Sequence, residues 1–384
     1  MDPAIIARQN GGEISDGKPK IPEGFVFDPT KYEQDTGNLA VYVCGFDDVR
    51  VLPYKVQALG DEDVRIQMKA IGICGSDIHY LKHLRNSRVA LKEPMVLGHE
   101  SAGVIIETGK LVKNLVVGDR VALEPGIPCY RCSFCKQGSN NLCREVKFFG
   151  SPPVHGSLAQ QVVHPASLCH KLPDKVSLEE GAMCEPLSVG VHACRRASIQ
   201  AGAHVLILGA GPIGLLTMLV ARAFGAVRVV VTDIDEKRLS TAKEFGADST
   251  VLVSSDMNEL NEEAQAMQIA MEALIDVTFD CVGTTKTMTT ALNITRSGGK
   301  VCLVGMLHDK MTLPLTAAAA REVDVLGIFR HRNTYKLCID LLQSKRIDIQ
   351  KLITHRFGFS QDEVIKGFKV SAAGGSAIKV MFSL

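Results

Sequence analysis

The sequence predicts an α/β chain in which a doubly wound parallel sheet is set into a mostly β domain. Three observations lead there. Between about 187 and 324, apolar runs alternate with helical patterns, as in a parallel sheet wrapped by helices. Ahead of that stretch, short β runs are broken by Gly and Pro. Beyond it the rhythm changes again and ends in a last apolar strand, which predicts a return to the first domain.

The elements follow in order. Residues 1–36 are polar and rich in Gly, Pro, Asp and Lys, and read as a flexible tail. In 37–186 the β runs are 39–43, 64–70, 101–108 and 120–123. In 187–324 the runs 205–208, 229–232 and 250–253 each precede a helical pattern, at 213–224, 236–245 and 257–274. Runs 277–280 and 301–304 continue the series, with an amphipathic helix at 286–296 between them. In 325–384, stretches 334–344 and 361–371 read as helices and 377–382 as the closing strand.

Composition narrows the function. The chain has 384 residues and is 46% hydrophobic, enough for two ordinary domains with real cores. A net charge of +1 argues against nucleic-acid and polybasic membrane partners. No apolar run is long enough to span a bilayer, so no membrane partner is expected. Twelve cysteines could suggest disulfides. The N-terminus, however, shows no apolar signal region and is too acidic for an organelle transit peptide. The expectation is a reducing, cytoplasmic compartment.

Gly209, Gly211, Pro212, Ile213 and Gly214 belong to a G-x-G-x-x-G turn between a predicted strand and a helix. Gly209 suits a tight turn, Gly211 lets the backbone approach a pyrophosphate, and Gly214 lets the helix pack on the strand. The helix N-terminus then offers unpaired N–H groups to phosphate. Asp233 ends the next strand, where a carboxylate takes the ribose hydroxyls and repels a 2′-phosphate. The expectation is a Rossmann-type doubly wound parallel sheet that binds NAD, with Arg238 beside the adenosine half.

Cys129, Cys132, Cys135 and Cys143 stand in one short loop. Four thiolates around a point suit a closed, structural zinc, and the spacing reads as metal binding rather than as disulfides. A second set is Cys74, His99 and Glu100. Three protein donors with an open fourth position would describe a catalytic zinc. Taken singly, a cysteine can be core filler and a His-Glu pair a surface pair, and spacing alone leaves these readings open.

The block Gly98-His99-Glu100-x2-Gly103-x5-Gly109-x2-Val112 resembles the zinc signature of the medium-chain, zinc-dependent alcohol and polyol dehydrogenases. The cysteine loop resembles that family's structural zinc lobe. Cys74-Gly-Ser76-Asp-Ile-His-Tyr80, Phe148, Glu185-Pro-Leu-Ser and Phe329-Arg330 look most like its polyol enzymes. The wording from Lys147 looks most like the plant members. The resemblance runs from about Leu39 to the C-terminus.

It implies a GroES-like catalytic domain in two parts, 37–186 and 325–384, around an inserted NAD domain at 187–324. It also implies two zinc ions per chain, with Cys74, His99, Glu100 and Glu185 at the catalytic one. Ser76 and Glu185 would handle the proton. Tyr80, Phe148, Glu185 and Arg330 would line the substrate pocket, and Val304, Gly305, Met306, Phe329 and Arg330 would meet the cofactor. The implied activity is NAD-dependent oxidation of a small-molecule polyol, sorbitol or a related alditol, at a secondary hydroxyl. Xylitol, L-arabinitol or another alcohol is the alternative, and an inactive NAD-binding scaffold a further one. Two positions depart from the polyol pattern: His331 replaces Tyr and Tyr335 replaces Trp, both near the expected substrate and cofactor wall. The family's habit of pairing cofactor sheets implies a homo-oligomer, a tetramer or a dimer, with 300–305 and 312–315 offering the edge.

Overall fold

A computed structural model describes residues 14–15, 18–19, 22, 24–86 and 89–384. The chain divides into two compact units, Met1–Glu185 with Tyr335–Leu384, and Pro186–Thr334.

The first unit is built on a 7-stranded sheet. Its central strand, Asp63–Gly72, pairs antiparallel with Glu100–Thr108, with Gln161–Pro165 and with the C-terminal strand Lys379–Ser383. The C-terminal segment therefore completes the first sheet. Ile353–Phe357 pairs parallel with Lys379–Ser383 and closes that edge. Asp63–Gly72 alternates half-buried and buried residues, with Val64, Ile66 and Met68 all fully buried, the period of a strand with one face on a core. A 3-stranded sheet, with Leu39–Gly45 in its middle, packs into the same apolar cluster.

The second unit is a 6-stranded sheet whose pairs are all parallel. Numbering its strands in chain order, the sequence across the sheet is 3-2-1-4-5-6. The first strand, His204–Leu208, lies between Arg228–Asp233 and Ile275–Asp280, so the order reverses there. Val205, Leu206 and Ile207 are all fully buried, as expected for a strand covered on both faces. Pro212–Ala223 follows with Pro at its first position, where a missing N–H costs nothing.

Four features differ from the sequence reading. The second unit ends at Thr334 rather than 324, because Asp324–Gly327 pairs with Thr295–Leu303 and extends the parallel sheet. That pairing makes Thr295–Leu303 an interior strand; the edges are Asp324–Gly327 and Ser249–Leu252, not 300–305. Two helices, Gly75–His83 and Cys184–Ala197, were not anticipated. Their Gly, His and Cys content masks the periodicity. Finally, the tail expected over 1–36 lies largely outside the described residues before 24. Beyond that it is packed: Phe25, Phe27 and Tyr32 rest against the first unit's core, and Arg50 lies 4.7 Å from the centre of the Phe27 ring. Three aromatic side chains outweigh a polar composition.

Gly214 tests the turn geometry. A Cβ there would fall 1.8 Å from the Gly209 carbonyl oxygen, so the strand-to-helix turn would have to open. Gly214→Ala is expected to lower the unfolding free energy by about 1–3 kcal/mol, read from urea unfolding curves.

Candidate active site

In the first unit, Cys74 sits between the strand Asp63–Gly72 and the helix Gly75–His83. Glu100 opens the strand Glu100–Thr108 and is the register partner of Gly72. A Cβ on Gly72 would fall 2.2 Å from Glu100 Oε2, so this glycine clears the space for the carboxylate. Gly98, at φ 90°, turns the chain before His99 in a conformation that favours glycine. The result brings one donor atom each of Cys74, His99 and Glu100 within 4.8 Å of one another. His99 and Glu100 are 6% and 1% exposed.

Two further residues hold this set. Asp77 accepts hydrogen bonds from Cys74 N at 2.9 Å and Gly98 N at 3.1 Å, and lies 3.8 Å from His99 Nδ1. Lys379 donates to both Glu100 oxygens at 2.7 Å and to the Ile73 carbonyl at 3.1 Å. Burial opposes the Lys379 ammonium, but Glu100 and Cys74 outweigh it and hold its pKa above the ordinary value. Burial likewise opposes the His99 imidazolium, yet Asp77 and Cys74 push it up to about 10. The mixed S, N and O donor set, with its donor atoms this close together, suits zinc.

The remaining expected residues are distributed as follows. Ser76 lies in the first turn of Gly75–His83. Glu185 is buried, and its charge acts on His99, Glu100 and Lys379, but it stands outside the 4.8 Å donor set. Cys184 points elsewhere: its thiol donates to the Glu180 carbonyl at 3.6 Å, and burial holds its pKa well above the ordinary value. The Phe148 ring lies 5.7 Å from the His99 ring, forming an apolar wall. Tyr80 is 1% exposed, with Asn86 Nδ2 donating to its hydroxyl at 2.6 Å. Tyr335 is also buried: its hydroxyl donates to the Leu123 carbonyl at 2.9 Å and its ring stacks on His170. His331 is buried in the second unit.

The sulfurs of Cys129, Cys132, Cys135 and Cys143 also lie within 4.8 Å of one another. Cys132 Sγ is 3.5 Å from Cys135 Sγ, and Cys129 Sγ is 4.0 Å from it. Zinc–sulfur bonds of about 2.3 Å give a tetrahedral edge of about 3.8 Å, so the spacing fits zinc and is far too long for disulfides. Backbone N–H groups of Arg131 and Cys132 press the Cys129 pKa down to about 7.

The second unit presents a dinucleotide crevice. Gly209 has φ 99°, a left-handed value suited to glycine. A Cβ on Gly211 would meet nothing within 4 Å, so the backbone there is open to a ligand. Asp233 accepts from Ala210 N at 2.7 Å and lies 4.0 Å from Arg238 Nη1. Val304 N and Gly305 N donate to the Asp280 carbonyl, and Met306 is exposed. The Arg330 guanidinium lies 5.1 Å from the centre of the Phe329 ring. An open glycine backbone, a free helix N-terminus and a carboxylate on the next strand together fit NAD.

This combination defines a zinc-binding dehydrogenase. Residues 60–174 match the alcohol dehydrogenase GroES-like domain and residues 212–344 the zinc-binding dehydrogenase domain. The chain belongs to that zinc-dependent medium-chain dehydrogenase family. It is similar to a sorbitol dehydrogenase of Arabidopsis thaliana, 60% identical over 92% of this chain and 97% of that one. It is equally similar to an L-idonate 5-dehydrogenase of Vitis vinifera, 59% identical over 92% and 96% of the two chains. The solved L-idonate 5-dehydrogenase of Escherichia coli matches with a TM-score of 0.82 at 29% identity, over 90% of this chain and 98% of that one.

Asp77 and Lys379 went unnoticed in the sequence. Lys379 left a signal, a lysine inside the apolar run Ile378 to Phe382, since a lysine is seldom fully buried unless paired. Its pairing with Glu100, 279 residues away, left none. Lys379→Met would leave Glu100 buried without its ammonium partner. The expected loss of unfolding free energy is about 3–5 kcal/mol, measured by urea denaturation. A loss below about 1 kcal/mol would show that the carboxylate does not need the lysine.

Proposed function

We propose that this chain oxidises a polyol, sorbitol or a related alditol, at a secondary hydroxyl to the ketose with NAD. The carrying observation is the Cys74–His99–Glu100 donor set, half-buried at Cys74 and buried at the other two, in a chain whose dinucleotide crevice ends in Asp233. The similarity to a plant sorbitol dehydrogenase supports the polyol. The similarity to an L-idonate 5-dehydrogenase supports a second reading, a sugar acid.

Cys74, His99 and Glu100 would hold the reactive zinc, with Glu185 as a further candidate, and the four loop cysteines would hold a second zinc. When bound, zinc and NAD supply the Lewis acidity and the hydride acceptor that alcohol oxidation needs. Asp77 fixes the backbone at Cys74 and Gly98, and Lys379 restrains Glu100. Ser76 would relay the hydroxyl proton, accepting it as it passes on its own, and Glu185 would be the base that receives it. Phe148 shields the donors from water, while Arg330 offers polar contacts to a hydroxylated chain. Asp233 receives the ribose hydroxyls with Arg238 alongside, and Val304, Gly305, Met306 and Phe329 border the rest of the cofactor. The open edge strand Asp324–Gly327, with Val325 45% exposed, gives a homo-oligomer a place to form. A thiolate-rich chain of this kind suits the reducing cytoplasm.

NADH production across sorbitol, xylitol, ribitol, ethanol and L-idonate, with NAD and with NADP, tests the reading. Sorbitol-type polyols with NAD should give the highest kcat/KM, and His99→Ala should abolish turnover while retaining NADH binding. An L-idonate maximum would select the second reading, and an NADP preference would refute the role of Asp233. Metal analysis should give two zinc ions per chain, falling to one in Cys132→Ala with a lower Tm. A folded, fully stable Cys132→Ala protein with two zinc ions would refute the structural assignment.

A further inference from the structure

In a doubly wound sheet the ligand crevice opens beyond the carboxyl ends of the strands where the order reverses. Here those strands are His204–Leu208 and Ile275–Asp280, and their last residues, Leu208 and Asp280, are register partners. The glycine turn 209–214 leaves the first strand and the turn 281–284 leaves the second. The two touch. Cys281 N donates to the Leu208 carbonyl at 2.9 Å, and a Cβ on Gly209 would fall 2.7 Å from Val282 Cγ2.

The 281–284 turn and its neighbour at 304–306 are tied together by one residue. Asp280 Oδ1 accepts from Val282 N at 2.9 Å and Gly283 N at 2.8 Å. Its Oδ2 accepts from the Thr287 hydroxyl at 2.9 Å. Its main-chain carbonyl accepts from Val304 N at 2.9 Å and Gly305 N at 2.8 Å. The two turns then meet backbone to backbone: a Cβ on Gly283 would fall 2.2 Å from the Gly305 carbonyl oxygen. Asp280 itself is fully buried. Its carboxylate faces three neutral donors, and burial pushes its pKa up to about 6. A buried carboxylate is a costly way to cap a turn, which suggests a purpose beyond folding.

We propose that Asp280 is a positioning residue for the nicotinamide half of the cofactor. It touches no ligand. Its carboxylate sets the 281–284 turn, and its carbonyl sets the 304–306 turn against it. Together these form the wall of the crevice on the side away from Asp233. The adenosine half sits at the opposite end, beside Asp233, and does not depend on Asp280. The inference rests on the dinucleotide reading of the 209–214 turn.

The test compares NADH with ADP on the zinc-loaded full chain. NADH binding is followed by dihydronicotinamide fluorescence, free of tryptophan background because the chain has none. ADP binding is followed by calorimetry. Asp280→Ala should weaken NADH about 10-fold or more while leaving ADP within about twofold, because charged hydrogen bonds are lost at one end only. Asp280→Asn keeps an acceptor oxygen and should restore NADH binding to within about threefold. Amide exchange should quicken at 281–284 and 304–306 in Asp280→Ala and stay unchanged at 209–214. Unchanged NADH affinity in Asp280→Ala, or an equal loss of NADH and ADP, would overturn the proposal. If Asp280→Ala does not fold, Thr287→Val serves: it removes one donor and should weaken NADH about threefold with ADP unchanged, and no selective loss would overturn the proposal. A wild-type chain that bound neither ligand would instead overturn the dinucleotide reading itself.

Discussion

The buried pair between Lys379 and Glu100 is the contact on which the first unit's chemistry rests. It joins the last strand of the chain to the strand that follows His99, at 2.7 Å to each carboxylate oxygen. Removing both charges from water is costly, and the pair repays that cost only because its geometry is tight and the Ile73 carbonyl takes another ammonium proton. It also gives the C-terminal segment a reason to return. Without Lys379–Ser383, the central strand would lose a neighbour and Glu100 would lose its counter-charge.

The same logic shapes the donor set around it. Asp77 bonds the backbone of both Cys74 and Gly98, so one carboxylate spaces two loops that carry donors. Gly72 and Gly98 remove side chains where Glu100 and Leu158 come close. Zinc donors need their outer partners to hold orientation, and here those partners are as buried as the donors. The cysteine loop follows a different plan. All four of its donors come from one short stretch, and backbone N–H groups point at the sulfurs, as Cys132 N does at Cys129 Sγ.

Legibility followed sequence distance. The 209–214 turn and the 129–143 loop are local, so their spacing alone carried a physical meaning. Cys74, His99 and Glu100 were found through their resemblance to a family signature, since each residue type has an ordinary alternative reading. A phenol such as Tyr80 or Tyr335 reads the same in sequence whether its hydroxyl meets a substrate or a buried partner. Their contacts to Asn86 and to the Leu123 carbonyl come only with the tertiary structure. Asp324–Gly327 is illegible in the sequence because it is a four-residue edge strand, three of its residues exposed, with no run of apolar residues.

The sequence by itself determined that this chain has a parallel, nucleotide-binding sheet, a four-cysteine metal loop and a β unit closed by the C-terminus. Those features rest on periodicity and on spacings within a few residues, which local backbone geometry converts directly into shape. Tertiary structure decided which charges are paired in the dark of the core. Lys379 reaches Glu100, Asp77 spaces the donors, and Asp280 ties two turns together. Burial raises the energy of every unpaired charge, and the partner that relieves it can come from anywhere along the chain.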